Sequence, residues 1–120
     1  MRNMALAEGE YKFAKLVWEQ EPIGSGELVQ LCKQQLGWQK STTYTVLKKL
    51  CDKGILRNEN AVVSAQISEE DYRRLCSEQF LGDHFGGSLP KFLTAFMGGK
   101  ALNKRQADAL RALIDSYQED

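Results

Sequence analysis

The stretch WQKSTTYTVLKKLCDKG, from Trp38 to Gly54, has the residue pattern of an amphipathic helix. Residues that recur at i, i+3, i+4 and i+7 should face a core, and here they are Thr43, Val46, Leu47, Leu50 and Cys51. At about 100° per residue, the opposite face carries hydroxyls and charges; its members are Thr42, Thr45, Lys48, Lys49 and Asp52. Ser41 is the predicted N-cap, with a start nearer Gln39 as the alternative, and Gly54 should end the helix.

Two further amphipathic patterns precede this helix. Residues 9–20 predict a first helix that ends before Pro22; its inward residues are Phe13, Leu16 and Val17. A second helix is predicted to begin at Ser25, as N-cap, and to end at Gly37. Its inward residues are Leu28, Val29, Cys32 and Leu36. The short connection to the following helix is typical of a helix-turn-helix.

After Gly54 the helical period is replaced by short β-like runs. They predict strands at Ile55–Arg57 and Val62–Ala65, joined by a tight turn at residues 58–60. Three helices followed by a hairpin describe a winged helix-turn-helix. The predicted fold class is therefore mostly α with a small β-hairpin wing, and residues 1–68 form the predicted DNA-binding domain.

The remaining residues, 69–120, are predicted to form a helical dimerization domain. Its three helices should begin after Ser68, Ser88 and Asn103, because each of these residues can cap a helix N-terminus. Gly82 is the predicted end of the first of them.

The chain is neutral as a whole, with 16 basic and 16 acidic residues, but its charge is unevenly distributed. Between Lys33 and Arg57 there are six basic residues and one acidic residue, a net charge of +5. Residues 61–120 carry seven basic and nine acidic residues. This asymmetry indicates that one face of the N-terminal half meets an anion.

A helix with this polar face fits the major groove of DNA, where hydroxyls reach base edges and Lys reaches guanine or phosphate. We expect Thr42 and Thr45, near the start of the helix, to read bases, and the lysines further along to contact phosphates. The predicted DNA-binding residues are Lys40, Ser41, Thr42, Thr45, Lys48, Lys49, Lys53 and Arg57. The alternatives are a solvated basic face on a structural helix, or a protein-interaction module without specific DNA binding.

The C-terminal half has more large apolar residues than two short helices can bury. A monomer would expose patches larger than the few hundred Å² that soluble proteins usually tolerate. We therefore predict a two-fold homodimer, which also suits palindromic DNA. The predicted interface residues are Phe85, Leu89, Phe92, Phe96, Leu110, Leu113, Ile114 and Tyr117. The alternative is that these residues pack back on the N-terminal core.

Nothing in the sequence motivates an enzyme, a metal site or a cofactor. The chain has no phosphate-binding glycine loop, and His84 has no nucleophile or metal-ligand partner at a suitable spacing. Cys32, Cys51 and Cys76 are too widely spaced for a disulfide framework and are predicted to be buried, inert thiols. The absence of a long apolar run or signal-peptide pattern predicts a cytoplasmic protein with no membrane partner.

Three segments resemble the penicillinase repressor family of transcriptional regulators. They are AEGEYKFAKLVWE, LGWQKSTTYTVLKKLCDKGIL and EEDYRRLCSEQFLGDHFGGSLPKFLTAF. The resemblance implies a homodimeric winged-helix repressor that binds palindromic operators of resistance-related genes. It matches Thr42 and Thr45 to operator-contacting threonines and Lys49 to a basic residue of the recognition helix. It also implies inactivation by a sensor protease within the dimerization region, at the bond between Ala95 and Phe96.

Overall fold

The computed structural model describes residues 5–119 and confirms the predicted fold class. A winged helix-turn-helix is followed by a helical segment. In chain order the elements are α1 (Glu8–Gln20), β1 (Ile23–Gly24), α2 (Ser25–Leu36), α3 (Lys40–Asp52), β2 (Leu56–Glu59), β3 (Val62–Ala65), α4 (Glu69–Phe85), α5 (Leu89–Met97) and α6 (Lys104–Tyr117).

The wing belongs to a three-stranded antiparallel sheet with the order β1-β3-β2. The sequence did not predict β1, which pairs Ile23 with Val63 and Gly24 with Val62. A two-residue strand is too short to show an alternating pattern, and Pro22 indicated only the end of α1. Because β1 lies between α1 and α2, this pairing attaches the wing to the helical part of the domain.

The hairpin loop begins two residues later than predicted and ends one residue later. Asn58 and Glu59 continue β2 and pair with β3, and the loop consists of Asn60 and Ala61. Both loop residues have positive φ angles, 53° and 61°, as a two-residue type I′ turn requires. The polar composition of residues 58–60 indicated a turn, but the pairing of both neighbouring strands decides its position.

Replacing Ala61 with Gly is expected to raise the free energy of unfolding by about 1 kcal/mol. A left-handed conformation costs a non-glycine residue roughly 1–2 kcal/mol, and the greater freedom of unfolded Gly offsets part of this gain. Urea denaturation measures the change. As a control, Ala109→Gly inside the exposed α6 should lower stability by about 0.5–1 kcal/mol. A decrease in both variants would contradict the assigned turn.

Two predicted helix starts are wrong by a residue or more. Gly24, not Ser25, is the N-cap of α2. Ser25 is buried, where its amide donates to the Ala61 carbonyl (2.8 Å) and its Oγ accepts a hydrogen bond from Tyr44 (3.3 Å). In α3 the alternative start is confirmed, since Gln39 is the N-cap and Ser41 lies in the first turn.

The predicted end of α4 at Gly82 is also wrong. The helix continues to Phe85 and ends at Gly86, which has a left-handed φ of 59°. One glycine is tolerated inside a helix, whereas Gly86 supplies the conformation that ends it. The predicted caps Ser68, Ser88 and Asn103 are confirmed: each side chain accepts a hydrogen bond from a backbone amide three residues later.

The hydrophobic core lies between α1, α2, α3 and the sheet. Its fully buried side chains include Phe13, Val17, Leu28, Cys32, Leu50, Ile55, Leu56 and Val63. The Phe13 ring stacks on Trp38, with centroids 5.6 Å apart, and so joins α1 to the connection before α3. Cys32 is buried as predicted, while Cys51 and Cys76 are half-buried free thiols. Burial raises the pKa of the Cys32 and Cys51 thiols, so they resist ionisation.

The C-terminal helices extend away from this core. Tyr72 is buried against it, and beyond Cys76 no residue of the described chain joins it. The radius of gyration is 18.6 Å, whereas a compact chain of this length would have about 14 Å. The alternative in which the C-terminal apolar residues pack back on the N-terminal core is therefore not observed.

Candidate nucleic-acid interface

The polar face of α3 points away from the core, as its spacing predicts. Thr43, Leu47 and Leu50 are buried. The predicted DNA-facing residues of the helix are exposed; they are Lys40, Ser41, Thr42, Thr45, Lys48 and Lys49. The structure therefore leaves these hydroxyls and ammonium groups accessible on α3, and we call the exposed part of this helix the α3 face.

The Thr45 hydroxyl has a defined hydrogen-bonding role. Its Oγ1 donates to the Ser41 carbonyl oxygen over 2.9 Å, so its lone pairs and its methyl group remain available on the exposed side. In the major groove, an acceptor can pair with the amino group of adenine or cytosine, and a methyl group can contact the thymine methyl. Thr45 thus has the chemistry of a base-reading residue.

Several cations of this surface are held by neighbouring carboxylates. Lys48 Nζ lies 3.3 Å from an Asp52 oxygen, and the Arg57 guanidinium lies 3.6 Å from a Glu59 oxygen. Among residues 5–119, Lys40 and Lys53 form no ion pair. Lys40 is the first residue of α3 and Lys53 follows its last residue, so the two are about 20 Å apart along its axis. Cationic groups are therefore available at both ends of the α3 face.

Lys49 is held by a carboxylate that the sequence did not indicate. Its Nζ lies 2.6 Å from Glu10 Oε2, and the Ala7 amide donates to Glu10 Oε1 over 3.0 Å. The hydrogen bond from Lys49, followed by that from Ala7, lowers the pKa of the Glu10 carboxyl. A lowered pKa adds stability above the ordinary Glu pKa, and this stability is lost as the pH falls through the lowered value. The pair joins α1 to α3 and leaves the Lys49 side chain 56% exposed.

The wing offers little positive charge to DNA. Arg57 is the only cation in residues 56–65, and its guanidinium is paired with Glu59. The tip consists of Asn60 and Ala61, followed by Val62, which is 45% exposed. The wing is thus better suited to contact DNA through uncharged residues than through several cations bound to phosphates.

A second exposed surface lies on α4, α5 and α6, and we call it the distal apolar surface. It contains all eight predicted dimer residues. Phe92 contacts Phe85 and Phe96, with ring centroids 5.5 and 5.9 Å apart. The most exposed members are Leu89, Phe96, Leu113, Ile114 and Tyr117, of which Tyr117 is 81% exposed. Five of the eight predicted interface residues are therefore more than half exposed in the single chain.

Phe80 belongs to the same surface, although the predicted interface omitted it. Its ring contacts His84 at 4.5 Å and Phe92 at 6.3 Å between centroids. Beside it an open groove of about 880 Å³ runs between α4 and α5, lined in part by Cys76 and Leu89.

The bond between Ala95 and Phe96 lies in the last turn of α5. Both residues are exposed. The Phe96 carbonyl accepts a hydrogen bond from Lys100 Nζ (3.0 Å), which also lies 4.3 Å above the Phe96 ring centroid. The two residues are therefore exposed, and the bond between them lies in helical backbone one residue before the end of the helix at Met97.

Two other classes of site have no counterpart in the described structure. Residues 5–119 contain no group of three His, Cys, Asp or Glu side chains that could hold a metal ion. None of the helices in this part of the chain combines the length and apolar character needed to cross a membrane.

Comparison with known proteins identifies one family that covers most of the chain. The sequence model of one family, described as "Penicillinase repressor", matches residues 6–116. A penicillinase repressor from Bacillus licheniformis is 22% identical over 117 residues, covering 94% of this chain and 91% of that protein. One from Staphylococcus aureus is 20% identical over 122 residues, covering 98% and 97% respectively.

Proposed function

Because this chain belongs to the penicillinase repressor family of transcriptional repressors, we propose that it represses transcription by binding double-stranded DNA as a homodimer. Its target is a palindromic operator, and the regulated genes are of the resistance type. The observation that carries the proposal is the α3 face, which presents hydroxyls and cations on a winged-helix scaffold.

The residues of the α3 face would have two different roles in DNA binding, base recognition and phosphate contact. Thr42 and Thr45 lie in the first half of α3, from which recognition helices contact base edges. The cationic residues surround them and would neutralise phosphates, which supplies affinity without sequence information. They are Lys40, Lys48, Lys49, Lys53 and Arg57, with Ser41 as a neutral hydrogen-bond donor.

The distal apolar surface supports the homodimer. One recognition helix reads few base pairs, so a specific repressor must hold two of them about 34–36 Å apart or a multiple of this distance. Exposed Leu113, Ile114 and Tyr117 form an apolar stripe that a second copy of the same stripe could cover. The eight interface residues then become buried in the dimer.

Relief of repression by a sensor protease is the last element of the proposal. Cleavage between Ala95 and Phe96 would separate α6 from α4 and thereby divide the distal apolar surface. The two halves of the dimer would lose their tether while each winged helix remained folded. Exposure of both residues that flank this bond, at the end of α5, supports the assignment.

Selection of DNA fragments by the purified protein tests the proposed function. We expect enrichment of a palindrome, with binding that weakens as salt rises because counterions are released. A scrambled duplex of equal length should bind far more weakly. Equal binding to both duplexes would instead favour a protein-interaction module with a basic face.

Thr45→Ala is expected to weaken binding to the selected palindrome by about 1–3 kcal/mol per base contact while leaving binding to random DNA nearly unchanged. The matched control is Thr94→Ala, because the Thr94 hydroxyl also donates to the carbonyl four residues earlier, at 2.9 Å, but lies on α5. Fluorescence anisotropy with both DNAs measures the two affinities. An equal loss on specific and random DNA would refute base reading by Thr45.

A further inference from the structure

Three side chains, Tyr11 of α1 with Glu69 and Arg73 of α4, form a polar junction where α4 leaves the winged helix. We infer that this junction fixes the direction of α4 and thereby the half-site spacing that the dimer accepts in its operator. The inference rests on the proposed function, since it concerns the geometry of the same DNA-binding dimer.

One carboxylate oxygen, Glu69 Oε2, accepts the hydrogen bonds of the junction. The Tyr11 hydroxyl donates to Glu69 Oε2. Arg73 Nη2 lies 3.0 Å from the same oxygen and 3.2 Å from the Tyr11 hydroxyl. Lys15 Nζ lies 3.5 Å from Glu69 Oε2. The hydrogen bond from Tyr11 lowers the pKa of the Glu69 carboxyl, so it stays ionised at neutral pH. Donors from α1 and α4 thus converge on a single point at the base of α4.

An apolar layer lies beside the polar junction. The Tyr72 ring contacts those of Tyr11 and Trp18, with centroids 6.1 and 5.6 Å apart. The Trp18 indole donates to the Ile67 carbonyl (3.0 Å), and the Leu6 amide donates to the Tyr72 hydroxyl (2.9 Å). This layer holds α4 on the core, while the directional hydrogen bonds of the junction restrict its rotation.

The rest of α4 acts as a lever on this attachment. The helix has 17 residues and is about 25 Å long, and beyond Cys76 no described residue joins the core. A rotation of about 10° at its base would move its far end by about 4 Å, close to the 3.4 Å rise of one base pair. Since the proposed dimer surface lies at that far end, a change of angle at the base turns each winged helix relative to that surface. The separation and the relative direction of the two α3 helices then change as well.

We expect the junction to affect the direction of α4 more than the folding stability of the chain. The Arg73 side chain is 66% exposed and the Glu69 side chain 24%, and ion pairs that are exposed to solvent contribute little to folding stability. Removing the junction should therefore leave the chain folded and dimeric while allowing α4 a wider range of directions. The affinity of one half-site for one winged helix should not change.

The neighbouring residues provide matched controls. Glu70 has the same charge in the same first turn of α4 and forms no ion pair with any residue in 5–119. Arg74 pairs within its own helix, with Asp71 at 3.4 Å. Glu69→Ala can thus be compared with Glu70→Ala, and Arg73→Ala with Arg74→Ala. Tyr11→Phe removes only the hydroxyl and provides the most conservative test.

The experiment uses the full-length dimer and a DNA library with randomised inverted arms, separated by spacers that cover one helical turn. The wild type should prefer one spacer by about tenfold or more, since avidity is lost when geometry forbids simultaneous engagement. Glu69→Ala, Arg73→Ala and Tyr11→Phe should reduce this preference to about threefold or less, with dimerization unchanged in sedimentation. The two control variants should keep the wild-type preference.

The outcomes separate this inference from the proposed function. Selection of no palindrome by the wild type would refute the proposed function. A wild type that selects palindromes with every spacer equally, or junction variants that keep the wild-type preference, would overturn the inference alone. An equal loss of affinity at every spacer would also overturn it, because that result indicates a stability effect without a change in geometry.

Discussion

Leu113→Glu is expected to convert the proposed dimer into a monomer and to weaken operator binding by about 100-fold or more. Leu113 is 54% exposed in the single chain and lies on the apolar stripe of α6 with Leu110, Ile114 and Tyr117. A buried, unpaired carboxylate is highly unfavourable, so the paired stripes would separate. The second half-site would then no longer bind intramolecularly, and this tethering is worth about 10²–10⁴ in affinity.

Ala112→Glu is the matched control for this variant. It adds the same charge one residue earlier, on the opposite side of α6 from the apolar stripe. Sedimentation at micromolar concentration and titration with the selected palindrome measure assembly and affinity. A Leu113→Glu chain that remains dimeric and binds the palindrome as tightly as the wild type would refute the distal apolar surface as the dimer interface.

Phe13→Ala is expected to lower the free energy of unfolding by about 3–5 kcal/mol. Phe13 is completely buried and stacks on Trp38, so truncation leaves a cavity between α1 and the start of α3. A small domain has a total stability of about 5–15 kcal/mol, and the variant should therefore be close to unfolding. Thermal and urea denaturation of the monomeric Leu113→Glu chain give the change without a contribution from assembly.

The control for Phe13 is a phenylalanine outside the core. Phe96→Ala in the same monomeric background should change stability by less than about 1 kcal/mol, because Phe96 is 54% exposed there. Equal losses in the two variants would contradict the separation of the molecule into an N-terminal core and a distal apolar surface.

The features that were predicted correctly from the sequence depend on local spacing. The inward and outward faces of α3 follow from residues three and four positions apart, and the caps at Ser68 and Asn103 involve a side chain and an amide three residues later. Boundaries that depend on tertiary pairing were missed. The strand β1 exists because Ile23 meets Val63, and Ser25 is buried through its contact with Tyr44.

The same distinction applies to the candidate site. Exposure of Thr42 and Thr45 could be predicted, because it follows from the helical period. The contact of Lys49 with Glu10 joins residues 39 positions apart, and that of Tyr11 with Glu69 joins residues 58 positions apart. Charged residues in solvent-facing positions of helices are common, so neither pair had a recognisable pattern. Only the packing of α1 against α3 and α4 brings these groups together.

The hydrophobic core ends at Cys76, and the apolar residues beyond it remain exposed in a single chain. This arrangement has a consequence for gene dosage. Below the dissociation constant of the proposed dimer, the amount of dimer varies with the square of the amount of chain, so halving synthesis lowers the dimer about fourfold by mass action. A repressor built in this way responds to its own abundance more steeply than a monomeric one. Operator occupancy would therefore decline faster than the protein itself when a growing cell dilutes it.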